Sequence, residues 1–352
     1  MAQERLDSIQ ILRAVAALAV MFAHLWPTLA FYGVKDAIPN FIFGASGVDL
    51  FFVISGFIMV YTSETMFGVN GASRGFLGRR LLRIVPLYWA MTTAILIMLF
   101  KLRGQLPDSS LILGSYLFIP VVHNGWQSEP ILGVGWTLNH EMFFYACFAV
   151  AIMLPRRLAV LALSVALFAF TNAGSYFGFM MHAPLSVWAA SFVCEFCFGM
   201  WIAAAYREGV RIPVVASVAV SAVGLALMIY THIEAFTVIS RVMGWGGGAA
   251  LVVAGIVLAD TTRKVPRVFR PLIILGEASF ALYLIHSMTP NAFLVIGVPQ
   301  IIHPQSHPLI YCEMLVAVSI AAALVLTRCE DWMRRRILTN WQITFRSPVA
   351  TA

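Results

Sequence analysis

The sequence predicts an all-α polytopic membrane protein with about ten transmembrane helices and both termini in the cytoplasm. Three observations lead there. Of 352 residues, 61% are hydrophobic and only 11% are charged, against roughly 25% charged in soluble domains. Apolar runs of about 20 residues, the length that crosses a bilayer, recur along the chain. Lysine and arginine gather in alternate connections between those runs. Backbone polar groups in lipid must pair within their own segment, so the runs read as helices. The period-2 alternation of a membrane barrel is absent.

The apolar segments are, in order, 8–31, 46–66, 80–100, 135–154, 158–173, 185–206, 212–231, 240–259, 271–297 and 308–328. The first is too long for a signal-peptide core and no small-residue cleavage site follows it. The fifth is short enough to be tilted or partly re-entrant. Between the third and fourth, LILGSYLFIP (111–120) is too short to span and ends in proline, so it is expected in the interface or as a dip. With the N-terminus inside, 19 of the 23 Lys and Arg residues fall on one side; Lys35, Lys101, Arg103 and Arg241 fall on the other. That asymmetry sets the orientation. Residues 1–330 then form a single membrane-embedded domain, and 331–352 a short basic cytoplasmic tail.

The net charge of +7 is thereby assigned to topology. No nucleic-acid surface is read from it, because the cations sit between apolar runs and not on one aromatic-studded face. The five cysteines lie in or at the edge of apolar segments, where structural disulfides are not expected.

Ionisable residues inside spans are expensive and face a cavity or a partner. Arg13 lies near the inner end of the first span. His24 follows 11 residues on, about 16 Å further out and only about 20° around the helix, so the two share a face. Glu141, His24 and His286 fall in overlapping layers of the outer half, and Arg13, Arg80 and Arg83 cluster at the inner mouth. Asp49, Glu195 and Glu277 are further buried candidates. Several motifs are rejected. Cys194-Glu-Phe-Cys197 has redox spacing but lies in an apolar span, where cysteine behaves as a small hydrophobe. His140-Glu141 opens like a zinc-protease motif, yet Phe144 stands where the second histidine belongs. GWGGG (244–248) lacks the lysine and setting of a phosphate loop and reads as close helix packing.

Five blocks in order carry a resemblance: Arg13-x10-His24; SGVDLFFVISGF (46–57); RRLLRIVPLYW (79–89), with Arg80 and Arg83; GWTLNHEMFFY (135–145), with Glu141; and SFALYLIH (279–286). Together they resemble the acyltransferase-3 family of integral membrane acyltransferases, and within it the bacterial exopolysaccharide O-acetyltransferases. Phe280 stands where that family often has Tyr. The resemblance implies a multi-pass protein of the bacterial inner membrane. It would move an acetyl group from cytoplasmic acetyl-CoA to a hydroxyl of an exopolysaccharide or its lipid-linked precursor. Acetyl-CoA is the donor substrate; no permanently bound cofactor and no metal are expected. The partners are acetyl-CoA, the carbohydrate or lipid-linked oligosaccharide and membrane lipids, and a homo-oligomer is compatible with this.

Chemistry assigns expected roles. Arginine grips phosphate through paired charge-assisted hydrogen bonds, so Arg80 and Arg83, with Arg79 and Arg13, are expected on the nucleotide end of the donor. His24 is the expected general base, with Glu141 orienting its ring. Asn139, Ser279, Tyr283, His286, Trp136 and Asp49 are candidates for oxyanion or acceptor contacts. The rival reading is a secondary transporter or flippase, which also buries His, Glu and Arg. A non-catalytic subunit of an export complex is the third.

Overall fold

The computed structural model describes residues 6–123, 126–177, 182–233, 241–260 and 265–345. Every expected apolar segment falls on helix. Among the described residues, seven helical segments are long and apolar enough to cross a membrane: Asp7–Phe31, Ile42–Thr62, Ala72–Arg103, Arg156–Phe177, Val214–Thr231, Ser279–Ile296 and Pro308–Met333. The other three expected spans are shorter. Segment 135–154 is α6 (Trp136–Ala151), 16 residues entered through a 3-10 turn at Gly133–Gly135. Segment 185–206 is split into α8 (Leu185–Trp188) and α9 (Val193–Arg207). Segment 240–259 begins as a π-helix at Val242–Gly246 and continues as Gly247–Val257.

The first span is not one rod. It consists of α1 (Asp7–Ala23) and α2 (Leu25–Phe31), with His24 at the break. Pro27 explains the position: it has no N–H to bond the Ala23 carbonyl four residues back, and its ring crowds that oxygen. His24 follows directly on the helix that carries Arg13, in αR geometry (φ -87°, ψ -7°), and the regular helix is interrupted there. The late span divides likewise at Ala278, between Arg270–Glu277 and Ser279–Ile296.

The remaining elements are α3 (Gly47–Thr62), α4 (Ala72–Arg103), α5 (Ser109–Leu117), α7 (Arg156–Phe177) and α10 (Val214–Ile233). The segment expected in the interface is α5, with Leu113 and Leu117 exposed. A two-stranded antiparallel ribbon, Val121–His123 with Trp126–Ser128, follows it, and an isolated parallel bridge joins Ile212 to Ala259. The last helix runs Pro308–Phe345, so the expected tail continues the helix as far as Phe345. Its 38 residues make about 57 Å, nearly twice the roughly 30 Å of a hydrocarbon core.

Apolar side chains cover the outside of the bundle as well as its core: Phe168 is 65% and Val215 83% exposed. Water would disfavour such a surface and lipid does not. With no hydrophobic drive between helices in lipid, close packing has to hold them. One such close crossing is α3 against α9. A Cβ at Gly56 would run into the Phe196 carbonyl, and one at Gly199 into the Val53 carbonyl. Ion pairs tie the helix ends on one side. Glu64 meets Arg156 at 2.6 Å and Arg207 at 3.6 Å, and Glu208 meets Arg157 at 2.7 Å. The Arg157 and Arg156 guanidiniums hold the Glu208 carboxyl below its usual range. All five cysteines are free thiols.

Gly199→Val forces α3 and α9 apart. Overpacking of this kind costs about 1–3 kcal/mol. Thermal unfolding in detergent should show a clear fall in Tm, whereas Gly78→Ala, where a Cβ meets nothing, should leave Tm unchanged.

Candidate functional site

Among the described residues, two cavities hold most of the expected site residues between them. The first, about 100 Å³, is lined by Arg13 from α1, Phe51 and Ser55 from α3, Arg80 and Arg83 from α4, Thr137, Glu141 and Tyr145 from α6, and Ser279 and Tyr283 from the Ser279–Ile296 helix. Arg13 is buried and reaches Gln10 Oε1 at 3.2 Å. The charges acting on it are those of Arg83, Glu141 and Arg80. Arg80 donates to Thr62 Oγ1 at 3.0 Å and lies over the rings of Phe76 and Tyr145. Three guanidiniums and one carboxylate thus share a space too apolar to hold them apart from a partner.

Glu141 has its donors within this cavity. Its Oε1 accepts from Ser55 Oγ at 3.0 Å and from the Tyr145 hydroxyl. Tyr145 stands one helical turn after Glu141, so that bond is local; Ser55 is 86 positions away and is brought in by α3. The carboxylate expected to orient His24 is therefore engaged elsewhere. Arg79 also departs from expectation. It is exposed, lies outside the cavity lining and donates to Met66 Sδ.

His24 lines the second cavity, about 310 Å³, with His286, Tyr32, Thr28, Ser287 and Asn291. Its Nδ1 lies 2.8 Å from the Val20 carbonyl oxygen. A carbonyl only accepts, so Nδ1 carries the proton, and Nε2 presents a lone pair. The backbone of α1 does what was expected of Glu141. His286 is held the same way, through Nδ1 to the Leu282 carbonyl at 3.1 Å, and its ring centroid lies 5.0 Å from that of His24. Pro290, also in the lining, has no N–H to bond the His286 carbonyl, which leaves that oxygen available as an acceptor.

Of the other candidates, Trp136, Asn139 and Asp49 line neither cavity, and Ser279 lines the first. Trp136 packs among Phe52, His140 and Phe192. Asn139 is buried, and its Oδ1 has no hydrogen-bond partner among the described residues. Ser279 lines the first cavity, with its Oγ likewise unpartnered among those residues. Asp49 accepts from Arg241 Nε and Nη2, both at 3.2 Å. Arg241 also lies over Phe192 at 4.5 Å and Trp245 at 5.3 Å. This pair, with Glu195 buried beside it, pins α3 to the π-helix, and neither Asp49 nor Arg241 lines a cavity.

Sequence reasoning missed Ser55, Tyr145, Tyr32 and Asn291. Tyr145 carried a signal in its four-residue offset from Glu141. The others are assembled only by the fold.

Comparison with known proteins bears on what this arrangement does. A family model described as an acyltransferase domain matches residues 6–328. The "exopolysaccharide production protein ExoZ" of Rhizobium meliloti (strain 1021) is 32% identical over 285 residues, covering 76% of this chain and 85% of that protein. No solved structure matches.

Removing one member of a buried ion pair strands the other, at about 3–5 kcal/mol. Asp49→Ala is expected to lower detergent stability strongly. The double variant Asp49→Ala/Arg241→Met should recover most of the loss; a double variant as unstable as the single one would mean the pair is not what links these elements.

Proposed function

The chain belongs to the acyltransferase-3 family, and on that premise we propose that it is a multi-pass O-acyltransferase of the bacterial inner membrane. The donor is acetyl-CoA, and the acceptor is a hydroxyl of an exopolysaccharide or of its lipid-linked precursor. The observation that carries this reading is the pairing of the two cavities. One presents three guanidiniums, and the other presents an imidazole with a free nitrogen, in adjacent parts of one bundle.

The donor's phosphates suit the arginines. Arg80 and Arg83 sit at the start of α4, on the basic side of the chain, and Arg13 stands deeper with Glu141. Arg83 makes a bidentate grip available, which a lysine point charge does not. Glu141, held by Ser55 and Tyr145, offsets part of the repulsion among the guanidiniums. The thioester arm enters this cavity and carries its acyl end toward Tyr283. The acceptor fits the second cavity, where Tyr32 offers an aromatic face and Asn291, Ser287 and Thr28 offer hydrogen bonds, the mixture that holds a sugar.

In the transfer, the acceptor oxygen attacks the thioester carbonyl, a C–O bond forms, and the C–S bond breaks. His24 Nε2 takes the hydroxyl proton and returns it to the departing sulfur. General-base help of this kind contributes about 10²–10⁴-fold. ExoZ's name ties that relative to exopolysaccharide production, which supports the acceptor class.

The test is acetyl transfer by purified protein in detergent, with exopolysaccharide from a deletion strain as acceptor. His24→Ala should lose transfer by about 10²-fold or more while still binding CoA. Arg80→Ala/Arg83→Ala should weaken CoA binding first, and Arg83→Lys should restore it only in part. Equal CoA affinity in wild type and the double variant removes the phosphate assignment. Substrate flux in liposomes without turnover would favour a transporter.

A further inference from the structure

One ring stands between the two cavities. Tyr283 lines the arginine-bearing cavity, and its ring centroid lies 5.7 Å from that of His286, which lines the other. His24 is 5.0 Å further, centroid to centroid. The Tyr283 hydroxyl meets Thr137 Oγ1 at 3.0 Å and donates to the Val134 carbonyl at 3.1 Å. Phe51 abuts the ring edge-on, with centroids 5.9 Å apart. The side chain is only 7% exposed. A ring fixed at its hydroxyl and packed on its edges is a rigid piece of wall.

The lining of the first cavity changes toward that wall. Arg80 bonds Thr62, at the far end of α3. Ser55 and its partner Glu141 come next along that helix, and Phe51 and Val48 lie beyond them, near Tyr283. Two aromatic rings, Phe51 and Tyr283, stand at that end beside Thr137 and Ser279. Tyr283 is a lining residue whose ring reaches an imidazole of the second cavity, His286, which in turn meets His24.

We propose that Tyr283 is a specificity-determining residue, the sieve that admits a short acyl group such as acetyl into reach of His24 and turns back longer ones. This rests on the acyl-CoA reading above. The hydroxyl ties to Thr137 and Val134 set the tightness of the sieve, and Phe51 forms its opposite edge. One methylene in an apolar pocket discriminates by about 10–200-fold, so a single fixed ring suffices to separate acetyl from butyryl donors.

The experiment compares kcat/KM for acetyl-, propionyl-, butyryl- and hexanoyl-CoA, with exopolysaccharide from the deletion strain as acceptor. Wild type should favour acetyl over butyryl by at least about tenfold. Tyr283→Ala should shrink that ratio by about tenfold or more by raising butyryl transfer, and Tyr283→Phe, which keeps the ring and loses its ties, should shrink it less. Phe51→Ala tests the same sieve from α3 should Tyr283→Ala fail to fold. An unchanged acetyl-to-butyryl ratio in active Tyr283 and Phe51 variants overturns the proposal. So does a folded Tyr283→Phe that is inactive with every donor, since the hydroxyl would then serve the chemistry. Wild type without transfer from any acyl-CoA would instead sink the acyltransferase reading itself.

Discussion

A charge inside an apolar bundle has to have its partner within reach, and in this protein the choice of partner decides where everything else sits. Glu141 takes Ser55 and Tyr145 as donors and faces Arg13 and Arg80, which draws α1, α3, α4 and α6 around one cavity. Asp49 takes Arg241, which draws the π-helix onto the start of α3. Desolvation makes each of these associations compulsory, because the unpaired ion is far costlier than the pair. Asp49 thus fixes the start of α3, and Glu141 holds its middle through Ser55. The close crossing with α9, through Gly56 and Gly199, falls in the same stretch.

The same economy explains how two histidines keep a defined proton without any carboxylate. His24 and His286 each give Nδ1–H to a carbonyl one turn back. Both occur near prolines, Pro27 and Pro290, each of which removes a backbone donor. The helix is interrupted at His24 and runs unbroken through Pro290. Breaks in membrane helices are tolerated where they line a cavity, and the residues around His24 do so.

Much of this was legible in the chain, though unevenly. Helix positions followed from apolar length, and every expected segment is helical. The three that fall short of a full span were not foreseen, because composition registers apolarity and does not show whether a run is one helix. The break at His24 was foreseeable from Pro27, but that Arg13 and His24 line different cavities was not. Depth arithmetic put His24, Glu141 and His286 in overlapping layers. Only the fold separates Glu141 from the two imidazoles, since lateral neighbours depend on packing. Arg241 is the clearest instance: in the charge pattern it is a minority cation on the wrong side, and in three dimensions it is the partner Asp49 needs.

The bond from His24 to Val20 limits the route a proton can take. With one ring nitrogen committed to the backbone, the imidazole cannot pass a proton through itself from one face to the other. The atom that collects it has to be the atom that gives it away. On the acyl-transfer proposal, sulfur and sugar oxygen would visit the same point in space, and the two substrates, arriving from opposite ends of the molecule, would meet tip to tip.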